Sequence, residues 1–245
     1  MELRNKIVLI TGSSRGIGAA CAKAFAEKGA RVVVHYKSHK SKKEAEKVAT
    51  ACKAELCLKA DVSSLDQCRG LIDAVVKEFG RIDVLVNNAG ISLPVEAGES
   101  MEERWQKHMD VNLRAPFFLS QYAKDHMPKG GSVINVSSIR AFRPSKTNAK
   151  LSVYGMTKAG LTYMTKSLAL FWAKDGIRVN AVAPGYVDTD MLNAFYKDKI
   201  PELLQQVPMN RLIRPDEIAH AVVFLAENDA VTGHTLVVDG GYLIQ

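Results

Sequence analysis

The stretch IVLITGSSRGIG, residues 7–18, decides the fold, together with the helical pattern AACAKAFAEKG that follows it to residue 29. A short apolar run rich in β-branched residues passes directly into glycines at 12, 16 and 18. Glycine lets the backbone turn tightly and approach a pyrophosphate, whose charge is favoured at a helix N-terminus by unpaired N–H groups. A glycine-rich turn alone also simply connects elements. Between a strand and a helix it has the context that nucleotide binding requires.

Working outward, the same alternation runs the length of the chain. Residues 7–11, 31–36, 55–60, 82–87, 132–137, 177–182 and 235–240 read as strands, nearly continuous in apolar character, as strands covered on both faces must be. Helical segments lie between them: 18–28 closed by Gly29, 63–79 opened by a serine cap and closed by Gly80, 152–174 closed by Gly176, and 215–227 opened by Pro215. Residues 190–208 read as two short helices beyond a Pro-Gly turn, placed to act as a lid. The expected architecture is α/β: a single-domain Rossmann fold over 1–245, with a doubly wound parallel sheet of about seven strands and helices on both faces.

Composition narrows the functional class. At 245 residues, 47% hydrophobic and 24% charged, the chain is that of a soluble globular protein. Its longest charge-free stretch, Val84 to Val95, is too short to span a bilayer, and no signal-peptide pattern opens the sequence, so a cytoplasmic location is expected. Cys21, Cys52, Cys57 and Cys68 show no CxxC or histidine pairing, which favours free thiols and no metal site. The net charge of +7 is dispersed apart from HYKSHKSKK at 35–43 and comes with no nucleic-acid-binding pattern.

That basic stretch bears on which dinucleotide fits. A NAD binder carries Asp or Glu at the end of its second strand, and here no acid appears until Glu44. Lys37, with Arg15 in the glycine turn, would attract a 2′-phosphate that a carboxylate would repel, so NADP(H) is the expected cofactor. Asp61 and Val62 end the third strand where an adenine edge would lie, and NNAG at 87–90 ends the fourth, its small Ala89 and Gly90 allowing backbone contact with a ribose.

The chemical residues lie further along. Tyr154 and Lys158, in SVYGMTKAG, are four apart and share a helix face. A phenol titrates near 10, and a fixed ammonium beside it stabilises the phenolate. Alone, the pair also fits a surface turn with tyrosine half buried. Ser138, at the end of the fifth strand, and Asn112, on the helical segment before it, bring four proton-handling side chains to the crevice where open α/β sheets bind substrates.

TGSSRGIG, NNAG, Asn112, Ser138, Tyr154-x-x-x-Lys158, AVAPGYVDTDM (181–191) and VTGHTLVVDGG (231–241) together resemble the short-chain dehydrogenase/reductases, over essentially the whole chain. The resemblance implies that Tyr154 protonates a carbonyl oxygen as hydride leaves a nicotinamide. Lys158 would lower the tyrosine pKa and hold the nicotinamide ribose, Ser138 would bond the substrate oxygen, and Asn112 would support a water leading to Lys158. It implies a cofactor site of Gly12, Ser14, Arg15, Gly16, Ile17, Gly18, Lys37, Asp61, Val62, Asn88, Ala89, Gly90, Tyr154 and Lys158. Pro184, Gly185, Val187 and Thr189 would border the nicotinamide.

Length and the PMNRLIRPDEIAHAVVFLA tail (208–226) are similar to β-ketoacyl-acyl-carrier-protein reductases of fatty acid synthesis. Lys129 and Lys174 fall where such reductases carry cations for docking an acidic carrier protein, and both also suit solvated helix ends. Fifteen residues separate Ser138 from Tyr154, a few more than is common in that family, and they include Arg140, Arg143, Lys146 and Lys150. Such a basic loop fits a phosphopantetheine arm or an unrelated anionic substrate. Reduction of another ketone (a sugar, steroid or small xenobiotic) and nucleotide binding without turnover remain open at this point. Trp105, Phe117, Phe118, Tyr122, Phe171 and Trp172 mark residues 102–126 and 154–174 as strongly apolar, and the resemblance implies that these helices pair in a homodimer. A homotetramer would follow if the C-terminal strand and YLIQ form a second face.

Overall fold

All seven expected strands form one parallel sheet in a computed structural model that describes residues 1–92, 99–144 and 152–245. The strands are β1 (Ile7–Ile10), β2 (Arg31–Tyr36), β3 (Leu56–Lys59), β4 (Val84–Asn87), β5 (Ser132–Val136), β6 (Arg178–Pro184) and β7 (Thr235–Val238). Their spatial order is β3-β2-β1-β4-β5-β6-β7, and every pairing is parallel. Strand order therefore reverses between β1 and β4. Beyond their carboxyl ends a crevice opens between loops that turn to opposite sides, which is where such sheets take ligands.

Two layers of helices cover the sheet. On one face α1 (Gly16–Glu27), α2 (Lys42–Cys52) and α9 (Pro215–Glu227) pack around Val8, Ile10, Phe25 and Val222. On the other, α3 (Leu65–Phe79), α4 (Met101–Met109), α5 (Ala115–Lys124) and α6 (Ser152–Trp172) enclose Leu9, Leu85, Leu119 and Leu161. Helix α3 shows why these segments are helical. Cys68, Leu71, Ile72 and Val75 recur at one-face spacing and are buried, with about 1.5–3 kcal/mol gained for each large aliphatic side chain removed from water. Gly80 ends the helix in the left-handed conformation. Its cap is Ser64 rather than the expected Ser63: the Ser64 hydroxyl accepts the Gln67 N–H, whereas Ser63 is drawn back to Asp61.

The long segment after β4 is not a uniform α-helix. Between α4 and α5 the turn Asp110–Arg114 widens to π geometry and carries the buried Asn112. Beyond β6, α7 (Asp190–Tyr196) and α8 (Ile200–Leu204) form the two expected short helices. A third apolar cluster, Ile139, Tyr186, Leu203, Val207 and Tyr242, joins this cap to the loop after β5 and to the C-terminal turn.

Candidate active site

The glycine turn is built by its neighbours as much as by its own residues. Gly12 and Gly16 have φ of +65° and +55°, which side chains rarely adopt. Arg15, the residue before α1, offers no side-chain cap, and the first turn contains no acid. The leading N–H groups of a twelve-residue helix are thus left for an anion. Asn88 ties the turn to the end of β4, its Nδ2 donating to the carbonyls of Thr11 (2.8 Å) and Gly12 (3.0 Å). The Thr11 hydroxyl accepts the N–H groups of Asn88 and Ala89, both at 3.0 Å.

A cleft of about 1090 Å³ runs from this turn along the carboxyl edge of the sheet. Gly12, Ser14, Arg15, Gly16, Ile17 and Gly18 line one end with Lys37, Asp61 and Val62. Asn88, Ala89, Gly90, Ser138, Tyr154, Lys158, Pro184, Gly185, Val187 and Thr189 line the rest of it, with Thr189 close to Gly16. Lys37 Nζ is 3.2 Å from Asp61 and Arg15 is 3.6 Å from Asp190. Both cations are largely exposed, so these pairs hold them weakly and either can turn to a phosphate at little cost. Burial acts against the Asp61 carboxylate, but the Ser63 N–H and hydroxyl and the Lys37 ammonium outweigh it and hold its pKa below the usual range.

The Ser138 hydroxyl lies close enough to the Tyr154 phenol to lower its pKa. It also accepts the Arg140 N–H at 3.1 Å. Lys158 is 4% exposed, donates from Nζ to the Val136 carbonyl at 2.7 Å, and stands 5.7 Å from the Tyr154 ring centre. Burial depresses its pKa to about 8. Burial also raises the Tyr154 pKa, opposed by the Ser138 hydroxyl and the Arg140 charge. The Arg140 charge thus acts on the phenol, while the Lys158 ammonium is turned to the Val136 carbonyl.

Asn112 is brought to the site without entering the cleft wall. Its Oδ1 accepts the Ile91 N–H at 2.8 Å, and its Nδ2 donates to the Ile91 carbonyl at 2.8 Å and to Thr157 at 3.3 Å. It clamps the backbone just after NNAG. Gly90 permits this closeness, since a Cβ there would lie 3.3 Å from Asn112 Oδ1 and 3.5 Å from Lys158 Nζ. Of the basic loop, Arg140 lines the cleft and Arg143 packs on Tyr242, whereas Lys146 and Lys150 lie outside the described residues.

A protein-family model described as enoyl-(acyl carrier protein) reductase matches residues 12–243. An uncharacterized oxidoreductase of Methylorubrum extorquens is 40% identical, over 98% of each chain. The 3-oxoacyl-[acyl-carrier-protein] reductase FabG of Staphylococcus epidermidis is 38% identical, over 97% of this chain and 98% of its own. A blue fluorescent protein from a metagenomic library, solved in complex with NADPH, superposes with a TM-score of 0.92 at 36% identity, over 99% of both chains. The chain belongs to the short-chain dehydrogenase/reductase family. It is an oxidoreductase of that family. Among the described residues no helix is long and apolar enough to cross a membrane, and no cluster of His, Cys, Asp and Glu could hold a metal.

This short-chain dehydrogenase/reductase contains a functional residue that the sequence reading passed over. His35 lies inside β2, where it reads as one more strand residue. Its buried Nδ1 accepts the Gly12 N–H at 2.8 Å, leaving Nε2–H to donate to the Ala60 carbonyl at 2.9 Å. The signal was a histidine in an otherwise apolar, doubly covered strand, directly beside the glycine turn. Burial holds its pKa to about 4. An unfolded histidine titrates near 6.5, so between these values the unfolded chain binds the extra proton and stability falls as pH falls. The expected loss from pH 7 to pH 4.5 is about 2–3 kcal/mol, with no contribution above neutrality. Urea unfolding of wild type and His35→Asn at both pH values checks this. The variant should lose that much less stability on acidification, and equal losses would refute the assignment.

Proposed function

We propose that this protein is an NADPH-dependent carbonyl reductase in which Tyr154 delivers the proton. One observation carries the reading: the Tyr154 and Ser138 hydroxyls meet in the same cleft as the glycine turn, so a carbonyl oxygen placed between them receives two hydrogen bonds. Bound NADPH supplies the hydride. Tyr154, kept protonated by burial, gives its proton to the oxygen as negative charge develops there, and Ser138 holds that oxygen in place. Lys158 lies one turn along α6 and is assigned to the nicotinamide ribose, while Asn112 holds the Ile91 backbone. Pro184, Gly185, Val187 and Thr189 border the nicotinamide end. Lys37 and Arg15, with no acid at the end of β2, support NADPH over NADH.

Two substrate readings have support. Reduction of a 3-oxoacyl group on an acyl carrier protein, as in fatty acid synthesis, is supported by the 38% identity to the Staphylococcus epidermidis reductase. A small ketone is supported by Tyr186 and Tyr196, which line the cleft together with Arg140. NADPH oxidation measured with acetoacetyl thioesters and a panel of free ketones, and repeated with NADH, tests the whole assignment. Faster turnover with NADH would remove the cofactor choice, and no oxidation with any carbonyl would leave a nucleotide-binding protein without turnover.

We assign a homodimer on α6. Met156, Tyr163 and Leu170 recur every seven residues along its outer face; Tyr163 and Leu170 are 75% and 76% exposed, and Phe171 is 64% exposed. Trp105 on neighbouring α4 extends the patch. Burying such a stripe needs another copy's helices. Exposed Phe224, Val237 and Ile244 support a second face and a tetramer. Wild type should sediment as a dimer or tetramer at micromolar concentration, and Tyr163→Lys with Leu170→Lys should dissociate that dimer. A wild-type monomer would end this proposal. Four free thiols suit a reducing compartment such as the cytoplasm.

A further inference from the structure

Beside Ser138 stands a cation that pairs with no anion among the described residues. Arg140 begins the loop after β5, and its guanidinium lies 5.6 Å from the ring centres of both Tyr186 and Tyr242. Those rings pack edge to face at 5.3 Å, so the cage is rigid. Nη1 donates to the Tyr242 hydroxyl and the Pro144 carbonyl, each at 3.2 Å, and Nη2 donates to the Tyr186 hydroxyl at 2.8 Å. These bonds occupy three of five guanidinium N–H groups, all with neutral acceptors. Among the described residues no carboxylate lies within ion-pairing distance. Arg143, 5.0 Å from the Tyr242 ring centre, bonds the Tyr242 carbonyl at 3.0 Å. The Nε–H and one Nη2–H of Arg140 have no partner among the described residues, which leaves donors of the planar cation to bond a carboxylate. That residue lines the cleft with Ser138 and Tyr154, and its charge reaches the Tyr154 phenol.

A half-buried cation caged by neutral groups is costly unless an anion completes it, and one in a ligand cleft is completed by the ligand. We propose that Arg140 is a substrate-binding residue and that the physiological substrate is a small oxo acid, its carboxylate on the free donors of Arg140 and its ketone oxygen at Ser138 and Tyr154. This rests on the carbonyl-reductase reading above. The reaction balances without further reagents. The ketone carbon gains the hydride and its oxygen the proton, giving a hydroxy acid and NADP⁺, and the carboxylate is unchanged. The anion belongs near the ketone because Arg140 lines the same cleft as Ser138 and Tyr154. The phosphate of a phosphopantetheine arm fits less well, since the length of that arm separates it from the β-ketone.

The test compares acetoacetate and levulinate with their methyl esters as NADPH-coupled substrates, and acetoacetyl thioester as a third arm. Wild type should prefer acid over ester by about 10- to 100-fold in kcat/KM, as expected for a charge-assisted pair. In Arg140→Gln that ratio should fall to near one, chiefly through KM for the acid. Arg140→Lys keeps the charge without the planar group and should give an intermediate ratio; it also serves if the glutamine variant does not fold. Wild-type indifference to the carboxylate, or an unchanged ratio in a folded variant, would overturn the proposal. Turnover confined to the thioester would also overturn it and leave the carbonyl-reductase reading standing. No oxidation with any arm would remove both.

Discussion

Replacing Tyr154 with phenylalanine is expected to cut turnover by about 10²–10⁴-fold and to leave NADPH binding close to its original strength. The change removes one hydroxyl and keeps the ring in place beside Lys158. What is lost is the proton at the carbonyl oxygen. Burial raises the phenol pKa, so Tyr154 stays protonated through neutral pH and is set to donate. The sign follows for pH. Reduction should hold its rate through neutrality and decline in base as the phenol ionises, whereas the reverse oxidation, which needs the phenolate, should rise with pH. Steady-state rates at saturating NADPH, with nucleotide fluorescence titration for binding, measure both quantities. Retention of more than about a tenth of the wild-type rate would sink the assignment of Tyr154 as the acid.

The second large effect is expected at Gly18. A Cβ at this position would fall on the Gly12 carbonyl oxygen, 2.5 Å from Asn88 Nδ2 and 2.9 Å from the Ser13 Cα. The added methyl intrudes on the Asn88–Gly12 hydrogen bond that ties the glycine turn to the end of β4. Backbone cannot step aside as a flexible side chain can, so Gly18→Ala should cost about 1–3 kcal/mol of stability. NADPH affinity should fall by about 10- to 100-fold, the same strain read at the binding site. Gly70 provides the control. It lies inside α3 with nothing near its missing Cβ, so Gly70→Ala should add about 0.5–1 kcal/mol of stability and leave NADPH affinity unchanged. Calorimetry and fluorescence titration on both variants decide the matter, and a Gly18→Ala protein that binds NADPH normally would refute the role given to the turn.

The sheet was legible in the sequence because the strands are nearly continuous in apolar character and several helices have a turn-forming end, as Gly80 and Gly176 show. The cleft was legible for a related reason: the topology carries the residues after every strand to one edge, so Gly12, Asn88, Ser138 and Pro184 had to converge. What escaped depends on three-dimensional neighbours. His35 stands out only as a histidine in an apolar strand, and its grip on Gly12 is set by strand pairing. The commitment of the Asn112 amide to Ile91 is invisible without the π turn. Arg140 was recognisable as a loop cation, but its cage depends on a tyrosine 102 residues further on, and sequence spacing gives no warning of that partner.

The widened turn at Asp110–Arg114 has an evolutionary consequence. A helix that swells for five residues absorbs one surplus residue without rotating what comes after, so α4 and α5 present the faces an uninterrupted rod would present. Architecture and chemistry are therefore separately editable at this point. Excising one residue should let the rod close up and the protein melt as before, while the grip on Ile91 is lost and the nucleotide is held more loosely; a large drop in melting temperature would contradict that separation. Lineages can gain or shed such a swelling in a single genetic step, and an unremarkable ancestral helix thereby acquires a polar side chain aimed inward.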